Sequence, residues 1–232
     1  MASIVAVVRE VLPATPRTRI IRLDAGSPPL AFEAGQAVSV GLEHSPLRKP
    51  YSLACAPSEA ARTGLLELLV QVDEPGPDPH LERAVPGTRV AVEGPFGRFV
   101  LPPDLAEPDV LFVAGGTGIA PLRAMIRTLL ARPAPPRLHL LYSARRADEF
   151  AYAEELRDLA ARGRLDLRFT VTRDVAAGWQ DLTGRVGAEA LAALLPGPDV
   201  RCFVCGPPSL VADVTALLEA AGVPRRLVST ER

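Results

Sequence analysis

The chain has 232 residues, of which 48% are hydrophobic and 23% are charged, and its formal net charge at pH 7 is −1. This length can hold one large domain or two small ones, and the near-neutral charge argues against nucleic acid or a membrane surface as the main partner. The three cysteines, Cys55, Cys202 and Cys205, are too few for a disulfide framework or a four-cysteine iron–sulfur cluster.

Signals for export and for metal binding are both weak. The first residues lack the charged region and apolar stretch of a signal peptide, and no run approaches the ~20 apolar residues of a membrane span. The histidines His44, His80 and His139 are scattered without metal-ligand spacing. We therefore expect a cytoplasmic protein with no metal site.

Short aliphatic and β-branched runs fill the first hundred residues, and clusters of Gly, Pro and Asp separate them. This pattern is typical of a small all-β barrel or sandwich. The predicted strands are residues 4–11, 18–23, 37–41, 51–55, 65–72 and 88–92. A proline-rich stretch at 101–109 is the predicted linker, and the expected domains are residues 1–102 and 103–232.

Strands and helices alternate in the second half, which predicts a doubly wound, Rossmann-like parallel sheet. The predicted strands are residues 110–114, 138–142, 165–171, 200–205 and 225–228. The predicted helices are residues 119–132, 148–162, 188–195 and 208–221.

One strand-to-helix junction carries the clearest chemical signal. The apolar run 110–114 stops at Gly115-Gly116-Thr117-Gly118, and a helical apolar stripe starts at Ile119. Such a turn directs backbone N–H groups and a positive helix end at an anion, most often a dinucleotide pyrophosphate. A plain structural turn remains the alternative for this motif alone.

A second motif lies sixty residues earlier, at Arg48-Lys49-Pro50-Tyr51-Ser52-Leu53-Ala54. On a strand, Tyr51 and Ser52 point to opposite faces, so a flat ligand at the strand end could use the ring together with a hydroxyl or backbone contact. The two cations suit a phosphate further along such a ligand. The alternative is an ordinary edge strand with solvated cations.

Four motifs in order resemble the ferredoxin–NADP reductase superfamily over nearly the whole chain. They are residues 49–54, Gly94-Pro95-Phe96-Gly97-Arg98-Phe99, the glycine turn with Ile119-Ala120-Pro121, and Cys205-Gly206-Pro207-Pro208. The resemblance implies a flavin-binding, six-stranded antiparallel β-barrel followed by an NAD(P)-binding α/β domain. It also implies an NAD(P)H-dependent flavoprotein oxidoreductase.

For the flavin, the resemblance implies that Tyr51 packs against the ring and that Ser52 lies near its N5 atom. Pro50, Leu53, Val70 and Gln71 complete the expected flavin-binding set. The family usually has arginine where this chain has Lys49, so either Arg48 or Lys49 is the expected phosphate anchor. Asp78 stands where FAD-binding members usually carry a hydroxyl residue, so FAD is expected while FMN stays open.

For the nicotinamide nucleotide, the resemblance implies a pyrophosphate cradle at Gly115, Gly116, Thr117, Gly118 and Pro121. The adenosine ribose is expected near Ser143, Arg145, Arg146 and Arg173, and these arginines lean weakly towards NADPH over NADH. Residues 205–208 are expected near the nicotinamide. The expected catalytic residues are Ser52, Cys205 and Glu231, which position the reactants and tune their electrostatics.

The predicted function is hydride transfer from the nicotinamide to the flavin, followed by single-electron transfer to a ferredoxin-like protein or an oxygenase component. The alternative is an electron-transfer or regulatory subunit that retains the fold without turnover. A nucleotide-binding module without flavin is a third possibility.

Overall fold

A computed structural model describes residues 2–72 and 81–232 of the chain. It contains two compact units. The first comprises Met1–Pro102 with Arg123–Thr128, and the second comprises Pro103–Leu122 with Leu129–Arg232.

The first unit is built on an antiparallel sheet of six strands. The strands are β1 (Ala2–Thr15), β2 (Thr18–Asp24), β3 (Ala37–Leu42), β4 (Lys49–Ser52), β5 (Leu65–Gln71) and β6 (Arg89–Phe96). Their order is β4-β3-β6-β1-β2-β5. The outer strands are linked by a bridge from Leu53 to Leu68 and by the Ala54 N–H, which donates to the Glu67 carbonyl at 2.8 Å. This link closes the sheet into the predicted barrel.

The barrel core consists of the inward-facing side chains of every strand. Ile21, Leu23, Val38, Leu68 and Val90 are fully buried within it. Burying one such aliphatic side chain contributes roughly 1.5–3 kcal/mol, so the apolar positions of the alternating runs determine which face of each strand turns inward.

One helix in this unit, α1 (Pro57–Thr63), was not predicted. Proline occupies its first turn, Gly64 ends it in a left-handed conformation with φ +71°, and the Glu59 carboxylate accepts the Ala56 N–H at 3.1 Å. Seven residues are too few to show a helical apolar period, so only the proline and glycine signals were available in the sequence.

The second unit is a parallel sheet of six strands with flanking helices. The strands are β7 (Asp109–Gly115), β8 (Arg137–Ala144), β9 (Asp166–Val171), β10 (Leu182–Thr183), β11 (Arg201–Cys205) and β12 (Val228–Glu231). The helices are α2 (Ile119–Leu130), of which Arg123–Thr128 group with the first unit, α3 (Ala153–Ala161), α4 (Ala188–Ala192) and α5 (Pro208–Ala220). None of the helices in the described residues has the length and apolar character that a membrane span requires.

The strand order of this sheet is β10-β9-β8-β7-β11-β12, which confirms the predicted doubly wound class. The chain moves outwards from β7 in one direction and then returns to β11 on the other side of β7. Every residue of β7 is buried because strands and helices surround it. The loops that follow β7 and β11 therefore emerge side by side at the carboxyl edge, where ligands bind in folds of this class.

Three details of the second unit differ from the sequence predictions. Residues 225–228, predicted as a strand, begin with a 3-10 turn, Arg225–Leu227, in which the Leu227 N–H donates to the Pro224 carbonyl at 2.8 Å. The last strand therefore starts at Val228. The helix predicted at 148–162 starts at Ala153, because Tyr152 has φ +60° and interrupts it. The two-residue strand β10 was too short to predict.

Candidate functional site

The glycine turn forms a cradle at the carboxyl edge of the parallel sheet. Strand β7 ends at Gly115, Gly116–Gly118 make a 3-10 turn, and α2 begins at Ile119. Gly116 is exposed with φ +54°, and a Cβ placed on it would have no atom within 4 Å. The N–H groups of this first turn have no intrahelical carbonyl to bond. The open space and these donors fit a pyrophosphate.

Gly115 and Gly118 allow the turn to touch the loop after β11. A Cβ on Gly118 would lie 2.3 Å from the Cys205 carbonyl oxygen, and a Cβ on Gly115 would lie 2.8 Å from Pro207 Cδ. Gly206 also lies close to the turn, since a Cβ added to it would lie 3.0 Å from Gly115 Cα. The two loops predicted to meet the nicotinamide nucleotide are thus in backbone contact.

Tyr142 supports the cradle from below, and sequence reasoning missed it. It is fully buried on β8, and its hydroxyl donates a hydrogen bond to the Gly116 carbonyl at 2.9 Å. Burial raises the pKa of this phenol, so the hydroxyl remains a donor. Because the peptide plane holds C=O and N–H on opposite sides, the Thr117 N–H points away from Tyr142. The hydrogen bond therefore fixes the direction of a cradle donor.

An aromatic cluster holds Tyr142 in place. Its ring centroid lies 5.0 Å from that of Phe150 in an edge-on arrangement and 6.0 Å from that of Phe169. Trp179 stacks on Phe150 at 5.8 Å, and its Nε1 donates to the Leu182 carbonyl at 2.9 Å. Through these contacts, β8 packs against the loop that contains Trp179 and precedes β10.

Cys205 and Glu231 lie opposite each other on the paired parallel strands β11 and β12. The Cys205 thiol donates to the Glu231 carboxylate across 3.8 Å between Sγ and Oε2. Burial, reinforced by the carboxylate, raises the pKa of the Cys205 thiol well above its usual range. This thiol is therefore a protonated donor and not a nucleophile.

The other two cysteines are buried and free. The Cys202 thiol points to the Val200 carbonyl at 3.7 Å, and burial raises its pKa to about 12. Burial also raises the pKa of Cys55 to about 11. Within the described residues, no group of three or more His, Cys, Asp or Glu side chains is arranged to hold a metal ion.

The arginines predicted near the adenosine lie on two adjacent loops. The Arg173 N–H donates to the Arg145 carbonyl at 3.0 Å, which joins the loop after β8 to the loop after β9. Arg145 and Arg173 have exposed side chains, whereas the Arg146 guanidinium lies 3.1 Å from the Asp174 carboxylate. Ser143 and Pro121, by contrast, are buried, and Pro208 is exposed at the start of α5.

In the first unit, β4 presents the motif around Tyr51 at the edge of the sheet. Tyr51 is half-buried and packs against the barrel core, and Ser52 is half-buried beside Ala37 of β3. Pro50 is exposed, as an edge strand allows. Burial, followed by the nearby Glu82 carboxylate, raises the pKa of the Tyr51 phenol.

Three further residues of the expected flavin set flank this motif. Leu53 and Val70 have side chains inside the barrel core, so only their backbone groups can meet a ligand. Gln71 is exposed at the end of β5. Asp78 lies outside the described residues.

Both cations of the motif already bind protein groups. Lys49 Nζ lies 2.7 Å from Glu82 Oε1, a pairing that the sequence did not reveal. Arg48 Nη1 donates to the Leu47 carbonyl at 3.0 Å and also to the Ser45 carbonyl, while its Nε lies 3.5 Å from Glu93 Oε1.

Comparison with known proteins identifies the family of this chain. The family model of the oxidoreductase NAD-binding domain matches residues 112–216. Ferredoxin–NADP reductase B of Sorangium cellulosum is 34% identical over 211 residues, which cover 87% of this chain and 85% of the relative. NADH-cytochrome b5 reductase 1 of Cryptococcus neoformans is 28% identical over 215 residues, covering 87% and 72%.

Among solved structures, the cytochrome P450 reductase GcoB of Amycolatopsis superposes with a TM-score of 0.86 at 28% identity. The superposition covers 100% of this chain and 69% of that one. Both units therefore match known reductases in sequence and in fold. The chain belongs to the ferredoxin–NADP reductase superfamily of NAD(P)H-dependent flavoprotein oxidoreductases.

Proposed function

We propose that this chain oxidises NADH or NADPH through a bound flavin and passes the electrons singly to a redox protein. The observation that supports the proposal is the backbone contact of the glycine turn with Cys205 and Gly206, because the Cys205–Glu231 pair then lies beside the turn that we propose binds the pyrophosphate. The reductases it resembles are named for ferredoxin, cytochrome b5 and cytochrome P450. An acceptor of this class, ferredoxin-like or an oxygenase component, is the one we propose.

The second unit binds and orients the nicotinamide nucleotide. The N–H groups of Gly116, Thr117 and Gly118 bind the pyrophosphate, and the hydrogen bond of Tyr142 to the Gly116 carbonyl holds the direction of the Thr117 N–H. Cys205 and Glu231 lie at the carboxyl ends of β11 and β12. With the pyrophosphate bound at the neighbouring glycine turn, the nicotinamide would extend to this pair. Since the thiol keeps its proton, Cys205 acts by contact and hydrogen bonding, with no covalent step.

The first unit binds the flavin, with FAD as the proposed form and FMN as the alternative. We propose that the half-exposed Tyr51 ring packs against the flavin ring and that the Ser52 hydroxyl hydrogen-bonds near its N5 atom. The backbone of Leu53 and Val70, with Gln71, completes the proposed flavin-binding set. When bound, a flavin would supply the change from two-electron to one-electron chemistry, because a nicotinamide nucleotide gives up its two electrons together as a hydride.

We propose NADPH as the preferred donor. Arg145 and Arg173 are exposed on adjacent loops, where a ribose 2′-phosphate would meet two guanidinium groups. Arg146 contributes less, because its guanidinium is paired with Asp174. Replacing Arg145 by Ser should raise the KM for NADPH about tenfold and leave the KM for NADH within twofold. An equal effect on both nucleotides would contradict this assignment.

The function is tested by reconstituting the purified protein with FAD or FMN and mixing it anaerobically with each nucleotide. Loss of the visible absorbance of oxidised flavin supports the reductase. Bound flavin that keeps its absorbance supports the subunit without turnover, and a protein that binds no flavin contradicts both.

The three cysteine thiols are buried and form no disulfide, which supports a reducing compartment, and a cytoplasmic location stays a prediction.

A further inference from the structure

The ion pair of Lys49 with Glu82 occupies the position where the flavin phosphates are expected. Lys49 and Tyr51 are two residues apart on β4, so their side chains project from the same face of the strand. Glu82 lies close enough to raise the pKa of the Tyr51 phenol by its charge, after the effect of burial. The pair is therefore adjacent to the ring on which the flavin is proposed to pack.

The two partners differ in their freedom to move. The Glu82 side chain is only 8% exposed, whereas that of Lys49 is 39% exposed. Glu82 belongs to the 3-10 turn Leu81–Arg83, which Leu81 anchors by its own burial in the barrel core. The carboxylate is thus held in place, and its charge needs a cation close by.

A flavin phosphate would compete with this buried carboxylate for Lys49. If Lys49 turned to the phosphate, Glu82 would lose a cation while further negative charge arrived next to it. If Lys49 stayed with Glu82, its charge would already be neutralised and little attraction for phosphate would remain. Either way, the phosphate gains much less than it would from a lysine without a buried partner.

Arg48, like Lys49, already contacts protein oxygens. Its Nη1 donates to two backbone carbonyls of its own loop, and its Nε lies 3.5 Å from the Glu93 carboxylate. Its side chain is only 20% exposed. Nη1 is thus bound by backbone oxygens and Nε faces a carboxylate, which weakens the attraction of this guanidinium for a phosphate.

We propose that the flavin site of this chain recognises the ring and not the phosphate, so that riboflavin binds as tightly as FMN. This proposal rests on the placement of the flavin at Tyr51 and Ser52 given above. The chemical class of ligand is then any flavin with an intact isoalloxazine ring, whatever its side chain carries. Glu82 is the residue that removes the phosphate preference.

The test is equilibrium binding of riboflavin and FMN to the full chain after its flavin has been removed, measured by isothermal titration calorimetry. The dissociation constants should agree within about threefold in the wild-type protein. Glu82→Gln releases Lys49, so FMN should then bind about tenfold more tightly than riboflavin. Adding Lys49→Met to Glu82→Gln should return the two constants to within threefold.

A matched control is Glu43→Gln, which removes the same charge from the same barrel. Glu43 pairs with Arg89 at 2.6 Å on β6, and this change should leave the ratio of the two constants at its wild-type value. A wild-type preference for FMN of thirtyfold or more would overturn the proposal. An unchanged ratio in a folded Glu82→Gln protein would overturn it as well.

The wild-type ratio keeps the proposal testable even when Glu82→Gln fails to fold. A protein that binds none of riboflavin, FMN and FAD refutes the proposed function and this inference with it, whereas one that binds FAD alone refutes only this inference. A protein that binds FMN far more tightly than riboflavin refutes this inference alone.

Discussion

Replacing Gly118 by Ala is the sharpest test of the nucleotide cradle. The added Cβ would lie 2.3 Å from the Cys205 carbonyl oxygen and 2.8 Å from the Gly206 nitrogen, both of them backbone atoms. Ordinary contact begins near 3.4 Å, so the two loops must separate by about 1 Å. No side chain can rotate away to relieve this overlap, because every atom involved is main chain.

The expected cost has two parts. Overpacking of this kind lowers the free energy of unfolding by about 1–3 kcal/mol. A displacement of about 1 Å between the pyrophosphate donors and the Cys205–Glu231 pair should lower kcat/KM for NAD(P)H about a hundredfold. The assay is steady-state reduction of a small one-electron acceptor, with flavin content and circular dichroism as measures of folding.

Gly187→Ala is the matched control for this substitution. Gly187 has φ −118°, and the nearest atom to an added Cβ there is the Arg185 carbonyl oxygen at 3.9 Å. This change should leave kcat/KM within twofold of the wild-type value. If folded Gly118→Ala protein kept kcat/KM within threefold, the contact would not matter for nucleotide binding and the reasoning would be refuted.

Three other predictions follow from named contacts. Arg123→Met removes a guanidinium 2.8 Å from the buried Glu67 carboxylate and should lower the free energy of unfolding, measured in urea, by about 3 kcal/mol. The exposed Arg162→Met, whose partner is Asp158, should lower it by about 0.5 kcal/mol or less. Equal effects would show that burial adds nothing to the ion pair. Tyr142→Phe should raise the Kd of the nicotinamide nucleotide about three- to tenfold with flavin affinity unchanged, and an unaltered Kd would remove its role at Gly116. Burial raises the pKa of all three cysteine thiols, so at about pH 8 the native protein should react slowly with a thiol reagent and the denatured protein quickly. Fast labelling of the native protein would contradict the burial of these thiols.

Much of the fold was accessible from the sequence because its signals are local. Short aliphatic and β-branched runs predicted a small barrel or sandwich, and the family resemblance implied the antiparallel barrel. Alternating strands and helices predicted the doubly wound sheet, and the strand orders confirm both. The glycine turn was recognisable for the same reason, since strand end, glycines and helix start are contiguous. The errors concern short segments such as α1 and β10, in which too few residues repeat to show a period.

The sequence by itself thus determined the two-part architecture, the family and the chemistry that family performs. Only the tertiary structure decided which side chains meet. Lys49 is 33 residues from Glu82, and Tyr142 and Gly116 are 26 apart, as are Cys205 and Glu231. Partners so far apart are brought together by strand order and register, which depend on the packing of the whole sheet. No local sequence pattern therefore predicts these contacts.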